Sequence, residues 1–455
     1  MSNETSAFKS MRTFYIIWFG QLVSTLGSGL TGFALGVWIY QKTNSVTLFA
    51  VNTFAYAATT VIVSPFAGAM VDRFNRRVVM ILSDAGAGLS TLVIWLLLLT
   101  GNMEIWHIYV VTVFNAAFTA FQFPAHSAAT TMLVPREQLG RAGGMVQIGQ
   151  AISQLFAPAL AGALFVGVGL QTIVLIDFAT FLVAVLTLVA VRIPEPERSE
   201  EAKAEQGSLF TGINYGWRYI VDRKGLLYWM LYIAGLNFAF GTFNPLLGPL
   251  MLELGDAQQV GLVSSLMGLG MLVGTLIMSV WGGPKRRFYA VAGSGFWMGL
   301  CVLALGAQPS LTLIGVTGLL LMMSLPILNG NSRAMWQTKV PADVQGRVFS
   351  VRRMIGQFTY PISAIIAGPI VDNILQPAMN EGGSLSATVG SVIGVGPGRG
   401  TALAFVLVGL LILVITIVAF ANPRLRRVEM EIPDAEVKVR DEVETSEEDT
   451  SDQTD

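Results

Sequence analysis

The feature that most constrains this chain is a series of long apolar blocks without lysine or arginine. The first three cover residues 14–40, 47–71 and 78–100. A helix needs about 20 apolar residues to cross a bilayer core that is about 30 Å thick. Each block is long enough, and only helices or closed barrels satisfy their own backbone groups in lipid. The blocks therefore predict an all-α integral membrane protein.

Twelve such spans are predicted, in two related halves of six. They lie near 14–40, 47–71, 78–100, 105–131, 145–167, 170–192, 226–251, 260–281, 288–306, 311–336, 348–375 and 401–421. The predicted domains are a cytoplasmic N-terminus (1–13), an N-terminal six-helix bundle (14–192), a cytoplasmic central loop (193–225), a C-terminal six-helix bundle (226–421) and an acidic, disordered cytoplasmic tail (422–455).

The distribution of positive charge supports this topology. Lysine and arginine concentrate on the cytoplasmic side of membrane proteins. If both termini are cytoplasmic, only Lys42 and Arg399 fall outside, and Arg333 falls within a span. Adding or deleting one helix would mix the two sides, so the pattern favours twelve spans.

Composition excludes several classes of protein. Only 13% of the residues are charged, against about 25% in soluble domains. One cysteine and two histidines leave no plausible zinc site. No phosphate-binding G-x-x-x-x-G-K-S/T pattern occurs, which argues against ATP-driven transport by this chain. We expect no enzyme activity, no catalytic residues, no metal, no cofactor and no nucleic-acid partner.

An internal repeat supports the two-half architecture. The segment at 134–141 and the segment at 340–347 share valine, proline, an acidic residue, glycine and arginine in register, 206 residues apart. Each copy lies between the fourth and fifth spans of its half. Parallel halves related by an axis along the membrane normal are one plan for transporters.

The loop between spans two and three carries a recognisable motif, formed by Gly68, Asp72, Arg73, Arg76 and Arg77. The glycine permits close helix approach, and the aspartate can pair with a cation or a helix N-terminus. The loop resembles the signature loop of the major facilitator superfamily. In that family it latches the cytoplasmic side in the outward-open state. The alternative is a basic anchor without a gating role.

The fifth span carries a second motif of small residues and proline: Gly144, Ser153, Ala157, Pro158 and Gly162. Their spacing resembles the antiporter motif of drug-exporting members of the superfamily. Only the two glycines and the proline match strictly, because serine and alanine replace the other glycines. Ordinary close helix packing is the alternative interpretation.

From about residue 14 to residue 421, the chain resembles the twelve-span, exporter-rich branch that includes macrolide and enterobactin efflux proteins. The stretches at 25–29, 68–77 and 331–347 carry the resemblance. It implies two pseudo-symmetric bundles in a bacterial cytoplasmic membrane, which is the plasma membrane. It also implies a monomer in contact with membrane lipids, a small-molecule substrate and protons as the coupling ion.

Among the ionisable residues within predicted spans, four are candidate coupling or substrate sites, and a charge there costs about 2.5–3.5 kcal/mol on insertion scales. Asp84 is interpreted as part of an ion pair, Asp177 as a shallow hydrated carboxylate and His126 as a packing histidine. Proton coupling is the alternative for each of the three. Arg333 either binds an anionic substrate group or extends back to the cytoplasm.

Uncharged polar residues also mark several spans, notably Gln21, Asn237 and Asn331. In the superfamily, spans one, four, seven and ten surround a central cavity. A cavity with amide and hydroxyl groups and few charges suits amphipathic substrates, although interhelical hydrogen bonds would use the same residues. The predicted function is proton-coupled efflux of an amphipathic molecule by a multidrug-type antiporter. The alternatives are an uptake or facilitated-diffusion permease, a transporter-like receptor, and an intramembrane enzyme.

Overall fold

A computed structural model describes residues 2–71, 74–135, 138–191, 193, 209–307 and 310–434. Of the predicted gating loop, Gly68 lies near the end of α2, and Asp72 and Arg73 lie outside the described residues. The helices are α1 (Ser2–Thr43), α2 (Val46–Val71), α3 (Arg76–Leu99), α4 (Ile105–Leu133), α5 (Leu139–Gly167), α6 (Gly169–Ala190), α7 (Leu209–Asp222), α8 (Lys224–Leu254), α9 (Ala257–Trp281), α10 (Arg287–Ala307), α11 (Leu311–Lys339), α12 (Ala342–Ile370), α13 (Gln376–Met379), α14 (Gly390–Ile393), α15 (Arg399–Ala421), α16 (Pro423–Arg426) and α17 (Val428–Glu431).

Twelve of these helices, within the described ranges, are long and apolar enough to cross a membrane. They are α1 to α6, α8 to α12 and α15, and they confirm the predicted all-α fold of twelve spans. Most extend a few residues beyond the apolar blocks. One reason is that polar residues cap their ends; the Asp256 carboxylate, for example, accepts a hydrogen bond from the Gln259 N–H at the start of α9.

The spans pack in two bundles of six. In the first bundle, α1 packs against α5 and α6, and α3 packs against α4 and α6. In the second, α9 packs against α11, α10 packs against α11 and α15, and α8 packs against α12. The principal contacts between the bundles join α5 to α9 and α2 to α12. The central cavity therefore lies between two pairs of contacting helices.

The two ends of the molecule differ in charge, and we call them the basic face and the distal face. The basic face is the end that carries Arg76 and Arg77 at the start of α3 and the segment 285–287 at the start of α10. The distal face is the opposite end, where α1 joins α2 and α8 joins α9. The positive charge of the basic face matches the predicted cytoplasmic side.

The segment predicted as a central loop, 193–225, contains a helix. Helix α7 packs along the start of α12, and a Cβ at Gly216 would lie 2.5 Å from the Arg347 carbonyl oxygen. The Arg347 guanidinium carbon lies 5.2 Å from the centre of the Tyr215 ring. The sequence shows a polar connector here because α7 is amphipathic rather than apolar.

The C-terminal segment also differs from its prediction as a disordered tail from residue 422. Short helices α16 and α17 fold against the basic face of the second bundle, with Leu425 and Val428 buried. The Glu429 carboxylate accepts a hydrogen bond from the Arg287 N–H at 2.9 Å, which caps the start of α10. Residues 435–455 lie outside the described residues, so their predicted disorder stays a prediction.

One buried lysine fixes this segment. Lys339, at the end of α11, is 6% exposed, and its ammonium donates to the carbonyl oxygens of Glu429 and Ile432, each at 2.6 Å. It also pairs with the exposed Asp434 carboxylate at 2.8 Å. A buried ammonium needs such acceptors, so Lys339 ties residues 429–434 to the bundle.

Candidate functional site

A cavity of about 900 Å³ lies between the two bundles and is lined unevenly by them. Among the residues that the structure describes, four of those in the lining belong to the second bundle: Asn237, Gly356, Tyr360 and Pro361. The first bundle supplies the other lining residues from α1 to α6. They are mostly hydroxyl, amide and small apolar side chains, with the aromatic rings of Tyr56, Phe118 and Phe181. Such a mixed surface suits an amphipathic ligand.

The first carboxylate in the cavity wall is Asp84 on α3, which is 4% exposed. The Gln21 amide donates to its Oδ2 at 2.8 Å, and the Gln122 amide donates to Gln21 Oε1 at 2.9 Å. Helices α1, α3 and α4 therefore meet in a chain of side-chain hydrogen bonds. In the described structure Asp84 bonds an amide, whereas the sequence suggested an ion pair.

The second carboxylate is Asp177 on α6, which is 1% exposed. The Thr91 hydroxyl lies 3.5 Å from its Oδ2, and the hydroxyls of Ser28, Thr31 and Thr180 also surround it. Its Oδ1 is buried without a hydrogen-bond partner. The expectation of a shallow, hydrated carboxylate is therefore wrong, because α1 and α3 cover this part of α6.

Neither carboxylate has a cation beside it in the described part of the chain, where the one ion pair joins Lys339 to Asp434. An unpaired charge is expensive to bury. Proton binding neutralises a carboxylate in this setting, and a cationic group on a ligand compensates its charge. The cavity wall therefore contains two buried carboxylates whose charge either a bound proton or a ligand cation would compensate.

Two glycines of α1 make room for these contacts. A Cβ at Gly27 would lie 2.8 Å from Asp177 Oδ1, and a Cβ at Gly29 would lie 2.7 Å from the Ala157 Cβ. Beside them, the Ser153 hydroxyl donates to the Thr25 carbonyl oxygen at 3.0 Å. The glycines bring α1 close to α5 and α6, as small residues do in membrane helices.

The antiporter-like motif of α5 therefore has two packing sides. Ser153 and Ala157 contact α1, whereas the backbone at Pro158 and Gly162 contacts α9. Added Cβ atoms at Gly162 and Gly261 would collide with backbone oxygens of the opposite helix. A Cβ at Gly144, nearer the basic face, would meet nothing within 4 Å. The motif joins the two bundles only in its distal part.

Further contacts join the bundles at the distal face. The Asp372 carboxylate, in a π-helical turn after α12, accepts hydrogen bonds at 2.8 Å from the Ser45 hydroxyl and the Thr47 N–H. The Tyr40 hydroxyl of α1 donates to the Glu253 carboxylate of α8. These bonds hold the two bundles together at the distal face.

The described basic residues of the predicted gating loop contact their own bundle. Arg77 donates to the carbonyl oxygens of Leu188 at 2.9 Å and Val189 at 2.7 Å, at the end of α6. Arg76 contacts the Met132 sulfur near the end of α4. These arginines fasten α3 to α4 and α6, which the sequence pattern did not indicate.

The cavity brings together some of the predicted polar residues and not others. Gln21, Asp84, Ser153, Asp177 and Asn237 line it. His126, Asn331 and Arg333 do not appear in its lining.

The three residues outside the lining have separate surroundings. His126 has a buried Nε2 without a hydrogen-bond partner. The Asn331 amide donates to the Ile327 carbonyl oxygen at 2.9 Å, within α11. The side chain of Arg333 is exposed. A polar residue in an apolar span can line the cavity or lie outside it, so sequence position alone did not distinguish these three residues from the lining residues.

Sequence reasoning missed three polar neighbours of the carboxylates, namely Thr91, Gln122 and Thr180. Thr180 follows Asp177 by three residues, so the two share a helical face. That spacing could have identified Thr180. Thr91 and Gln122 have no such signal, because their partners Asp177 and Gln21 lie on other helices.

Comparison with known proteins agrees with this architecture. The family model described as Major Facilitator Superfamily matches residues 17–364. The chain is 27% identical to macrolide efflux protein A from Streptococcus pyogenes, over 79% of this chain and 90% of that protein. It is 24% identical to the multidrug efflux pump Tap from Mycolicibacterium fortuitum, over 78% and 88% of the two chains.

Solved structures give the same fold at low sequence identity. A bacterial homologue of the human lysosomal transporter Spinster, in an inward-facing and unoccupied conformation, superimposes with a TM-score of 0.68 at 13% identity, over 93% of this chain and 97% of that chain. The nucleoside transporter NupG superimposes with a TM-score of 0.68 at 12% identity, over 90% of this chain and all of NupG.

Proposed function

Because this chain belongs to the major facilitator superfamily, we propose that it is a secondary active exporter of amphipathic small organic molecules, driven by protons. The relatives named as macrolide and multidrug efflux proteins support export. The observation that carries the proposal is the cavity, in which Asp84 and Asp177 lie among hydroxyl, amide and aromatic groups without a cation.

The lining suggests the class of substrate. Aromatic rings and apolar side chains favour a large hydrophobic body, and amides and hydroxyls can bond its polar groups. A buried carboxylate favours a positive charge on the ligand. The preferred substrate is therefore an amphipathic molecule with a basic amine.

Exchange of proton and substrate at the carboxylates supplies the coupling. The transporter fold permits rocking of one bundle against the other around a mid-membrane site. With the distal contacts closed, this conformation would receive substrate from the basic face, which we assign to the cytoplasm. Protons that enter after the distal face opens would neutralise the carboxylates and release a cationic substrate outside the cell.

The proposal is tested by accumulation of antibiotics, dyes and siderophores in an efflux-deficient host, with and without the protein and a protonophore. If the protein exports a compound, cells that contain it should accumulate less of that compound, and the protonophore should return accumulation to the level of cells without the protein. The variants Asp84→Asn and Asp177→Asn should lose this effect, while Asp222→Asn, at the exposed end of α7, should keep it.

The direction of transport and its coupling to protons can be measured separately in liposomes that contain the purified protein. Substrate movement that follows only its own gradient would replace active export with facilitated diffusion. Proton-driven uptake into a compartment equivalent to the cytoplasm would reverse the proposed direction. Failure to move any compound of the panel, with the folded protein present in the membrane, would favour a receptor.

A further inference from the structure

A second, smaller cavity lies on the outer surface of the second bundle. Its volume is about 350 Å³, and it lies between α10 and α15 near the basic face. Its wall is formed by Tyr289, Gly293 and Phe296 of α10 and by Thr416, Ile417 and Phe420 of α15. It is separate from the central cavity, with which it shares no lining residue.

The interior of this surface pocket is apolar. A Cβ at Gly293 would meet nothing within 4 Å, so the glycine leaves open space rather than a close helix contact. The Thr416 hydroxyl already shares a hydrogen bond of 3.3 Å with the Tyr232 hydroxyl. A ligand inside the pocket would therefore find hydrocarbon and aromatic surface, which suits a flexible apolar chain.

The position of the pocket places it at the edge of the membrane. Its α10 residues lie within the first ten residues of a helix that starts at Arg287, so they are within roughly 15 Å of that end. Tyr289, Phe296 and Phe420 are 41%, 45% and 47% exposed at the surface. Tyrosine concentrates at the membrane–water interface, and Tyr289 is the residue of the three that lies nearest the basic end of α10.

Positive charge adjoins the pocket at its basic end. The guanidinium carbon of Arg426 lies 5.9 Å from the centre of the Phe420 ring, and Arg426 is exposed. Lys285 and Arg286 are also exposed, directly before α10. In the described residues, none of the three has an ion-pair partner. Basic groups at the membrane surface attract anionic headgroups.

We propose that this pocket binds one acyl chain of an anionic phospholipid, whose phosphate lies beside Arg426, Lys285 and Arg286. The shape and apolar wall accept the chain, and the adjoining cations select the headgroup. The inference concerns the leaflet at the basic face and does not depend on the transported substrate.

Photo-crosslinking of the full-length protein in nanodiscs tests the proposal. The probe is phosphatidylglycerol with a diazirine on one acyl chain, and phosphatidylcholine with the same chain is the comparison. Phosphatidylglycerol should label peptides that contain Tyr289, Phe296 and Phe420 more strongly than phosphatidylcholine does. Equal labelling by the two lipids would overturn the selection of an anionic headgroup.

Two pairs of variants separate the pocket from its charges. Gly293→Leu fills the open space and should remove most of the labelling, whereas Gly167→Leu, at another exposed glycine with open space, should not. Arg426→Gln should reduce the preference for phosphatidylglycerol more than Arg424→Gln does. Labelling that Gly293→Leu leaves unchanged, in protein of normal thermal stability, would refute the proposed chain site.

Discussion

The carboxylate of Asp372 caps the N-terminus of a helix in the other bundle, because it accepts the N–H of Thr47 at 2.8 Å. The Ser45 hydroxyl donates to the same carboxylate oxygen at 2.8 Å. A helix N-terminus carries positive partial charge, which an anion stabilises. The two bundles are thus joined at the distal face by an interaction that must break when that face opens.

Removal of this cap should favour the distally open state. In a Cys301→Ala, Gly32→Cys background, Asp372→Ala should raise the labelling rate at position 32 by an impermeant thiol reagent added at the distal face. Gly32 lines the cavity and has open space beside it. A cap is worth about 1–2 kcal/mol, which corresponds to about five- to thirtyfold in population.

The matched variant is Glu381→Ala, which removes another acidic residue from the segment that follows α13. Glu381 is exposed, and its side chain forms no hydrogen bond or ion pair within the described residues. It should leave labelling unchanged. Equal acceleration by both variants would show that acidic charge in general, rather than the cap, controls distal opening.

The close approach of Gly27 to Asp177 predicts that Gly27→Ala, which adds one methyl group, reduces both stability and transport. Gly27→Ala should displace both the Thr180 hydroxyl and the Asp177 carboxylate, because the added Cβ would collide with Thr180 Oγ1 and lie 2.8 Å from Asp177 Oδ1. Overpacking costs about 1–3 kcal/mol of stability. We expect a lower melting temperature and a large loss of transport, both measured on purified protein.

Gly32→Ala supplies the control on the same helix, because a Cβ there meets nothing within 4 Å. It should keep the melting temperature of the unmodified protein. If Gly27→Ala is equally harmless, the geometry described for the Asp177 carboxylate is incorrect.

The antiporter-like motif predicts an asymmetry between its two outer glycines. Gly162→Ala should impair transport, because its Cβ would collide with the backbone of α9 at Ala257. Gly144→Ala should be tolerated in this conformation, because open space surrounds it. The measurement is the initial rate of substrate export at equal protein amounts in the membrane. Greater damage from Gly144→Ala would assign the essential packing to the distally open state.

The hydrogen bonds of Lys339 should determine how firmly residues 429–434 are held against the second bundle. Lys339→Met leaves two carbonyl oxygens without their donor, at about 1–3 kcal/mol each. Asp434→Asn should cost much less, because Asp434 is 76% exposed and exposed ion pairs contribute about 0–1 kcal/mol. Trypsin cleavage after Arg426 and Arg427 should therefore accelerate in Lys339→Met and hardly change in Asp434→Asn. Similar cleavage in the two variants would contradict this ranking.

The sequence predicted the fold well because the spans are encoded locally. Twenty apolar residues in a row specify a membrane helix with little dependence on their neighbours. Helix α7 was missed because its surface is only half apolar, and the segment at 423–431 was assigned to a tail because acidic residues follow it. Both segments are stabilised by contacts with α10, α11 or α12 that no local pattern records.

The candidate site was predicted less completely. Asp84 and Asp177 were identified because charge is rare within a span, but their surroundings were not. The neighbours of Asp84 come from α1 and α4, and those of Asp177 come from α1, α3 and α6. Which polar residues face the cavity depends on helix rotation. That is why Asn237 lines the cavity while Asn331 bonds within its own helix.

The uneven lining of the cavity has a consequence for how ligand preference can evolve. Since all but four of the described lining residues belong to α1 to α6, we expect mutations that alter ligand preference to accumulate there while the partner bundle stays constant. A chimera that joins this first bundle to the second bundle of a relative should carry the ligand preference of the first. Selection for resistance to a new compound should likewise change one half of the gene before the other.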